Sequence, residues 1–202
     1  MKKNLAVLFA LVGWFAVITQ FVLLIENRIT SIPEAIIRFF SFFTILTNTL
    51  VAIYFTCIVF IKNQEKAINK PGLLTAITMY IIMVGSVYQI ALRQIWQPKG
   101  IQMVVDELLH SIMPILVTIF WFMYETTRSV KYSQILKWAI YPLIFLIFIL
   151  VRGSFSNFYP YPFVDVTNLG LTKALINSAV LLLIFLIISA LFLFIGKSVI
   201  KK

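Results

Sequence analysis

Apolar residues run along this chain in six long stretches, separated by short segments where Lys, Arg, Asn, Gln and Pro collect. The stretches cover residues 5–25, 39–61, 73–92, 104–124, 135–151 and 174–195. A helix needs about 20 apolar residues, rising about 1.5 Å each, to cross a hydrocarbon layer roughly 30 Å thick. The fifth stretch is the shortest and contains Pro142. No stretch alternates with a period of two, so helices and not a barrel satisfy the backbone in lipid. The pattern predicts an all-α polytopic membrane protein, a bundle of about six transmembrane helices forming one domain over residues 1–202. The first stretch follows Lys2 and Lys3 as a signal peptide would. It is long and lacks a small-x-small cleavage site before Glu26, which predicts an uncleaved signal-anchor helix.

Composition points the same way. Of 202 residues, 61% are hydrophobic and 12% charged, where a soluble domain carries about 25% charged residues. Mean hydropathy is +1.00. Net charge is +10, but no recognition helix, zinc finger or Gly-rich phosphate loop accompanies it, which excludes nucleic acid as a partner. The charge reads as a topology signal instead. Lys2, Lys3, Lys62, Lys66, Lys70, Arg128, Lys131, Lys137, Lys197, Lys201 and Lys202 fall on one side of the six spans. Arg28, Arg38, Arg93, Lys99, Arg152 and Lys173 fall on the other. The richer side is expected in the cytoplasm, with both termini, in a cell membrane. Cys57 is the single cysteine, so no internal disulfide forms, and no Cys/His spacing suggests a metal. His110 is the single histidine, which excludes a bis-histidine haem within one chain. No cofactor is implied.

Polar residues inside spans are costly and face a bundle interior, so their spacing locates candidate chemistry. In the second stretch Ser41, Thr44 and Asn48 share a helical face, with Thr47 alongside. In the third, Thr78, Gly85, Gln89 and Arg93 form a stripe. In the fourth, Glu107, His110, Ser111, Pro114, Thr118, Trp121 and Glu125 run along one side. With Arg38 and Asp106 as the outer ends of these spans, Thr44 lies about 9 Å and His110 about 6 Å inward, a common level. Arg93, Arg152, Tyr159 and Asp165 fall near it too. Plainer explanations stand beside each. A threonine in a membrane helix commonly bonds the carbonyl four residues back. Asp106 and Glu107 suit an interface, Gly85 a close helix contact, and the many Phe residues packing or lipid.

Three segments carry a resemblance. Phe42-Phe43-Thr44 followed by Asn48 resembles the Phe-x-Thr segment of the androgen-induced gene 1 family, whose relatives include the androgen-dependent regulator of tissue factor pathway inhibitor. Leu109-His110-Ser111-Ile112-Met113-Pro114 resembles that family's His-x-x-x-Pro segment, and Tyr159-Pro160-Tyr161-Pro162-Phe163, then Gly170, its Tyr-Pro-Phe loop. Order and spacing match over nearly the whole chain, and the sequence also looks like the uncharacterised bacterial branch of that family. Animal members are multi-pass hydrolases of fatty acid esters of hydroxy fatty acids with a threonine nucleophile and a histidine. The resemblance implies Thr44 and His110 for those roles and a lipid or fatty-acyl substrate drawn from the bilayer. The surroundings of both depart from the animal pattern, with Thr44-Ile45-Leu46-Thr47-Asn48 after the Phe pair and Asp106-Glu107 before the histidine.

In the expected chemistry His110 removes the Thr44 proton, because a threonine hydroxyl is a poor nucleophile without a base in reach. Asp106 or Glu107 is the candidate to orient the ring, and Asn48 to stabilise the oxyanion. Tyr88, Gln89, Arg93, Arg152, Tyr159, Tyr161 and Asp165 are candidate substrate contacts, with Arg93 or Arg152 suited to a carboxylate. Two other classes share these residues. A transporter or channel would use Arg93, Glu107 and His110 as an anion or proton path that continues to the opposite face. A non-catalytic membrane scaffold would use none of them. Substrate identity and oligomeric state are not encoded in any pattern found.

Overall fold

The computed structural model describes residues 1–61, 68, 70–125 and 129–199. Of the charges that set the expected topology, Lys62, Lys66, Arg128, Lys201 and Lys202 lie outside the described residues. Among the described residues every regular element is helical. In chain order these are α1 (Lys2–Glu26), α2 (Ile32–Phe39), α3 (Phe43–Phe60), α4 (Leu73–Leu92), α5 (Ile101–Tyr124), α6 (Gln134–Ser156), α7 (Val166–Leu169) and α8 (Leu171–Val199). Six of them, all but α2 and α7, are long and apolar enough to cross a membrane. The chain divides into two compact units, Met1–Ser129 with α1–α5 and Val130–Lys201 with α6–α8.

The second apolar stretch does not form one helix from residue 39. Its first residue closes α2, and α3 starts only at Phe43. Between them Ser41 Oγ donates to Ile37 O at 2.7 Å, and Phe42 is extended at φ −92°, ψ 124°. The chain therefore turns at Phe40-Ser41-Phe42, and Thr44 falls in the first turn of α3. The sequence carried a signal for α2. Ser31-Ile32-Pro33-Glu34 has a small polar residue, a first-turn proline and an acidic residue three places on, the marks of a helix start.

In the first unit, α1 lies against α3 through small residues. Ala6, Ala10, Gly13 and Ala16 are buried on one face of α1, and a Cβ on Gly13 would come within 3.2 Å of Ala52 Cβ. Lipid gives helices no hydrophobic reason to associate, so close dispersion contact across small side chains supplies it. Phe9, Phe55 and Phe120, from α1, α3 and α5, meet edge to face at 5.3, 6.0 and 4.9 Å between ring centroids. A second buried cluster, Ala16, Val17, Phe39, Ile45, Val105 and Leu109, ties α1, α2, α3 and α5 together. It lies directly beside Thr44 and His110 in sequence. At the far end of α5, the buried Glu125 carboxylate accepts from Thr75 N and Thr75 Oγ1, both at 2.9 Å. Trp121 Nε1 donates to the same threonine hydroxyl at 2.9 Å. A carboxylate in the first turn of α4 meets the positive end of that helix dipole.

In the second unit, α6 pauses at Ala139 and resumes over Ile140–Ser156. Pro142 then sits in a first turn, where its missing N–H breaks no helical bond. Gly153 leaves the space that the Tyr159 ring fills. The buried residues of α8, Ala174, Ser178, Phe185, Ser189, Leu193 and Gly196, recur on one face at helical spacing.

Candidate functional site

The site is built where two helices in the first unit depart from α geometry. A π-turn spans Tyr88–Leu92 at the end of α4, closed by Arg93 N–H donating to Tyr88 O at 2.8 Å. A second spans Leu108–Ile112 within α5, where Met113 N–H donates to Leu108 O. Such single turns are rare in helices and recur at functional positions. Pro114 explains the second one. It has no N–H, so with Met113 bonded to Leu108 the Leu109 carbonyl has neither its α donor, Met113, nor the π donor that residue 114 would otherwise supply. Asn48 takes that carbonyl instead. Its Nδ2 donates to Leu109 O at 3.2 Å and to Thr44 O at 2.9 Å. Gly85 makes room on the other flank, since a Cβ there would stand 3.1 Å from His110 O and 3.2 Å from the Pro114 ring.

This arrangement brings Thr44 and His110 together across α3 and α5. Thr44 Oγ1 lies 3.2 Å from His110 Nε2. His110 Nδ1 lies 2.9 Å from the Asp106 backbone oxygen and 3.3 Å from its carboxylate Oδ1. A carbonyl oxygen can only accept, so Nδ1 carries the proton of the neutral ring and Nε2 is its acceptor. The Thr44 hydroxyl then donates to Nε2, the direction that activates it. Tyr88 fixes the ring plane by stacking on His110, with centroids 4.1 Å apart and planes 16° from parallel. Thr44 is 7% exposed and the His110 side chain 12%, so both are nearly enclosed.

The two acidic neighbours part company. Asp106 faces the ring, while Glu107 turns to Arg93, forming an ion pair through Arg93 Nη2. Arg93 Nη1 donates to Gln89 Oε1 at 2.9 Å, Gln89 Nε2 to Ser111 Oγ at 2.9 Å, and Ser111 Oγ to Glu107 Oε2 at 2.5 Å. These four side chains close a polar ring that joins the two π-turns. Ser111, which the sequence places on the polar stripe of this span without a specific role, is one of the four. Asn48, expected to stabilise an oxyanion, has both amide N–H groups on backbone carbonyls and acts as a clamp between α3 and α5. Its Oδ1 is buried with no hydrogen-bond partner.

Four expected substrate contacts belong to the second unit. Arg152 Nη1 reaches Ser156 Oγ at 3.2 Å and Phe158 O at 3.4 Å, and its guanidinium lies 5.0 Å from the Phe158 ring centre. Tyr159 occupies the space beside Gly153. Tyr161 is buried and stacks on Phe163, centroids 5.2 Å apart. Asp165 caps α7, accepting from Thr167 N at 2.9 Å and Asn168 N at 3.3 Å. Among the described residues no group of three or more His, Cys, Asp or Glu side chains converges as a metal site would require.

Along α5 beyond the site, the buried side chains are Met113, Pro114, Val117, Phe120 and Trp121. Thr118 lies in the same stretch, but its hydroxyl bonds back to Pro114 O at 2.7 Å. Polar chemistry resumes at Glu125. No family model, curated protein or solved structure matches this chain.

Proposed function

We propose that this multi-pass membrane protein hydrolyses a lipid-like ester, with Thr44 as nucleophile and His110 as general base. The single observation that carries the reading is the 3.2 Å contact of Thr44 Oγ1 with His110 Nε2, combined with a proton placed on Nδ1 by the Asp106 carbonyl. Nucleophile, base and orienting group stand in the order that activated hydroxyls require. The likeness of the three short motifs to the androgen-induced gene 1 family supports the same pair.

In this mechanism Thr44 Oγ attacks the ester carbonyl as Nε2 takes its proton. The imidazolium formed is stabilised by the Asp106 carboxylate at 3.3 Å. Negative charge on the carbonyl oxygen develops at the N-terminal end of α3, where the helix dipole is positive. His110 then protonates the leaving alcohol, and an acyl-threonine remains. Water, deprotonated by His110, releases the acid and restores the hydroxyl. With both termini in the cytoplasm of a cell carrying the protein in its plasma membrane, the site lies in the outer half of the bilayer, where an acyl chain enters from lipid. The apolar run from Met113 to Phe120 on α5 favours a one-ended reaction site over a polar conduit.

The test is hydrolysis of a fluorogenic long-chain acyl ester by purified protein in non-ionic detergent. Thr44→Ala and His110→Ala are each expected to abolish turnover while retaining native helix content and a monodisperse elution profile. Wild-type turnover in both variants removes the pair from the chemistry.

A further inference from the structure

The charge around His110 narrows the substrate class, an inference that rests on the hydrolase reading above. Arg93 is the cation of this cluster. Its guanidinium carbon lies 5.8 Å from the Tyr88 ring centre, and that ring lies 4.1 Å from the imidazole. The guanidinium is therefore no more than about 10 Å from the His110 ring centre, the combined length of those two steps. It would be the natural anchor for a substrate carboxylate, but it already has one. Glu107 binds it through both Nη1 and Nη2, and Ser111 holds Glu107 from the other side at 2.5 Å. Gln89 takes a further Nη1 donor direction at 2.9 Å.

Asp106 has no such neutralisation. Its carboxylate faces His110 and the neutral Tyr88 hydroxyl, and among the described residues no Lys or Arg pairs with it. Two carboxylates and one guanidinium leave the cluster with one formal negative charge. A carboxylate brought to Arg93 must either expel Glu107 from a bond network that retains it, or become a second carboxylate on one guanidinium in a cluster that already holds Asp106. At an effective dielectric near 20, a unit charge about 10 Å away changes an equilibrium by roughly tenfold.

We infer that the ester taken by this site bears no acidic group near the scissile bond; uncharged or cationic esters are its substrates. Fatty acid esters of hydroxy fatty acids, which the family likeness implies, carry a free carboxylate at a distance from the ester set by the position of the hydroxyl. The side chains beside His110 disfavour those in which the two lie close.

The test uses the full-length protein in non-ionic detergent and three p-nitrophenyl esters of one short acyl chain, whose end stays near the scissile bond and carries a methyl ester, a trimethylammonium or a carboxylate. The two charged esters both leave a neutral micelle readily, so their ratio reports the site. The expected kcat/KM for the cationic ester exceeds that for the carboxylate ester by about a hundredfold, roughly tenfold for each of the two charge units that separate them. Glu107→Gln, which frees Arg93, is expected to shrink that ratio by about the same factor. A wild-type preference for the carboxylate ester overturns the inference, and that measurement stands alone should the variant not fold. An unchanged ratio in folded Glu107→Gln overturns it as well. Cleavage of none of the three esters above the solvent rate is a different failure: the hydrolase reading falls, and this inference falls with it.

Discussion

Replacing Asn48 tests whether the π-turn that carries His110 is held by one side-chain amide. Asn48→Ala removes donors to two carbonyls, Thr44 O at 2.9 Å and Leu109 O at 3.2 Å. The losses differ. Thr44 O is a helical carbonyl of α3 that retains a backbone donor four residues on. Leu109 O is not, because Pro114 and the Met113–Leu108 bond remove both helical alternatives. One newly orphaned buried carbonyl costs about 1–3 kcal/mol. Removing Asn48 Oδ1, already buried without a partner, offsets part of that. The expected net loss is about 1–2 kcal/mol, above the ~0.6 kcal/mol average for interhelical hydrogen bonds in membranes. Asn48→Asp is the sharper variant, since it sets an acceptor against two carbonyls and should destabilise more than alanine does. Thermal unfolding in detergent measures both, with about 2–4 °C expected per kcal/mol. Ester turnover should fall further than stability, by on the order of 10²-fold, because a shift of about 1 Å between Thr44 and His110 is enough. Asn48→Asp that is no less stable than Asn48→Ala, or either variant with unchanged turnover, refutes the clamp.

Asp106→Asn separates two functions of one residue. The backbone carbonyl that fixes the His110 tautomer survives, so kcat should drop by about 10²-fold, less than the ~10⁴ seen where the carboxylate itself sets the tautomer; steady-state kinetics at one pH decides. Thr44→Ser keeps the hydroxyl 3.2 Å from Nε2 and should retain turnover within about tenfold of wild type, whereas full inactivation points to a role for the methyl group. Thr75→Val strips Glu125 and Trp121 of a shared hydroxyl, costing about 1–3 kcal/mol by thermal unfolding. Gly153→Ala drives a methyl group into the Tyr159 ring, costing about 1–3 kcal/mol; the added Tyr159→Ala change should recover that loss.

The spans were legible because a lipid solvent demands long apolar helices, and their periodicity survives in one dimension. The breaks in them were less so. Phe39 to Phe43 is apolar enough to read as uninterrupted helix, and only the Ser31-Ile32-Pro33-Glu34 start marks α2 as separate. Depth along two spans puts Thr44 and His110 only at a common level, reckoned for Thr44 from Arg38 on a different helix; it is the resemblance of the short motifs that singles them out as a pair. The π-turns were out of reach. Their causes, a proline five residues beyond an orphaned carbonyl and an amide on another helix that answers it, become visible only when Asn48 and Leu109 are adjacent. Charge at helix ends is visible as composition, and Asp106 stands four residues before His110, an ordinary helical spacing for a contact with its ring; that Glu107 turns instead to Arg93 shows only once the end of α4 lies beside α5.

The account stands most directly on covalent capture. Purified protein treated with a fluorophosphonate, digested and read by mass spectrometry, is expected to carry one adduct, on the Thr44 hydroxyl, and to lose it in His110→Ala. An adduct confined to another residue, or labelling of Thr44 that persists undiminished without His110, contradicts a nucleophile activated by that histidine.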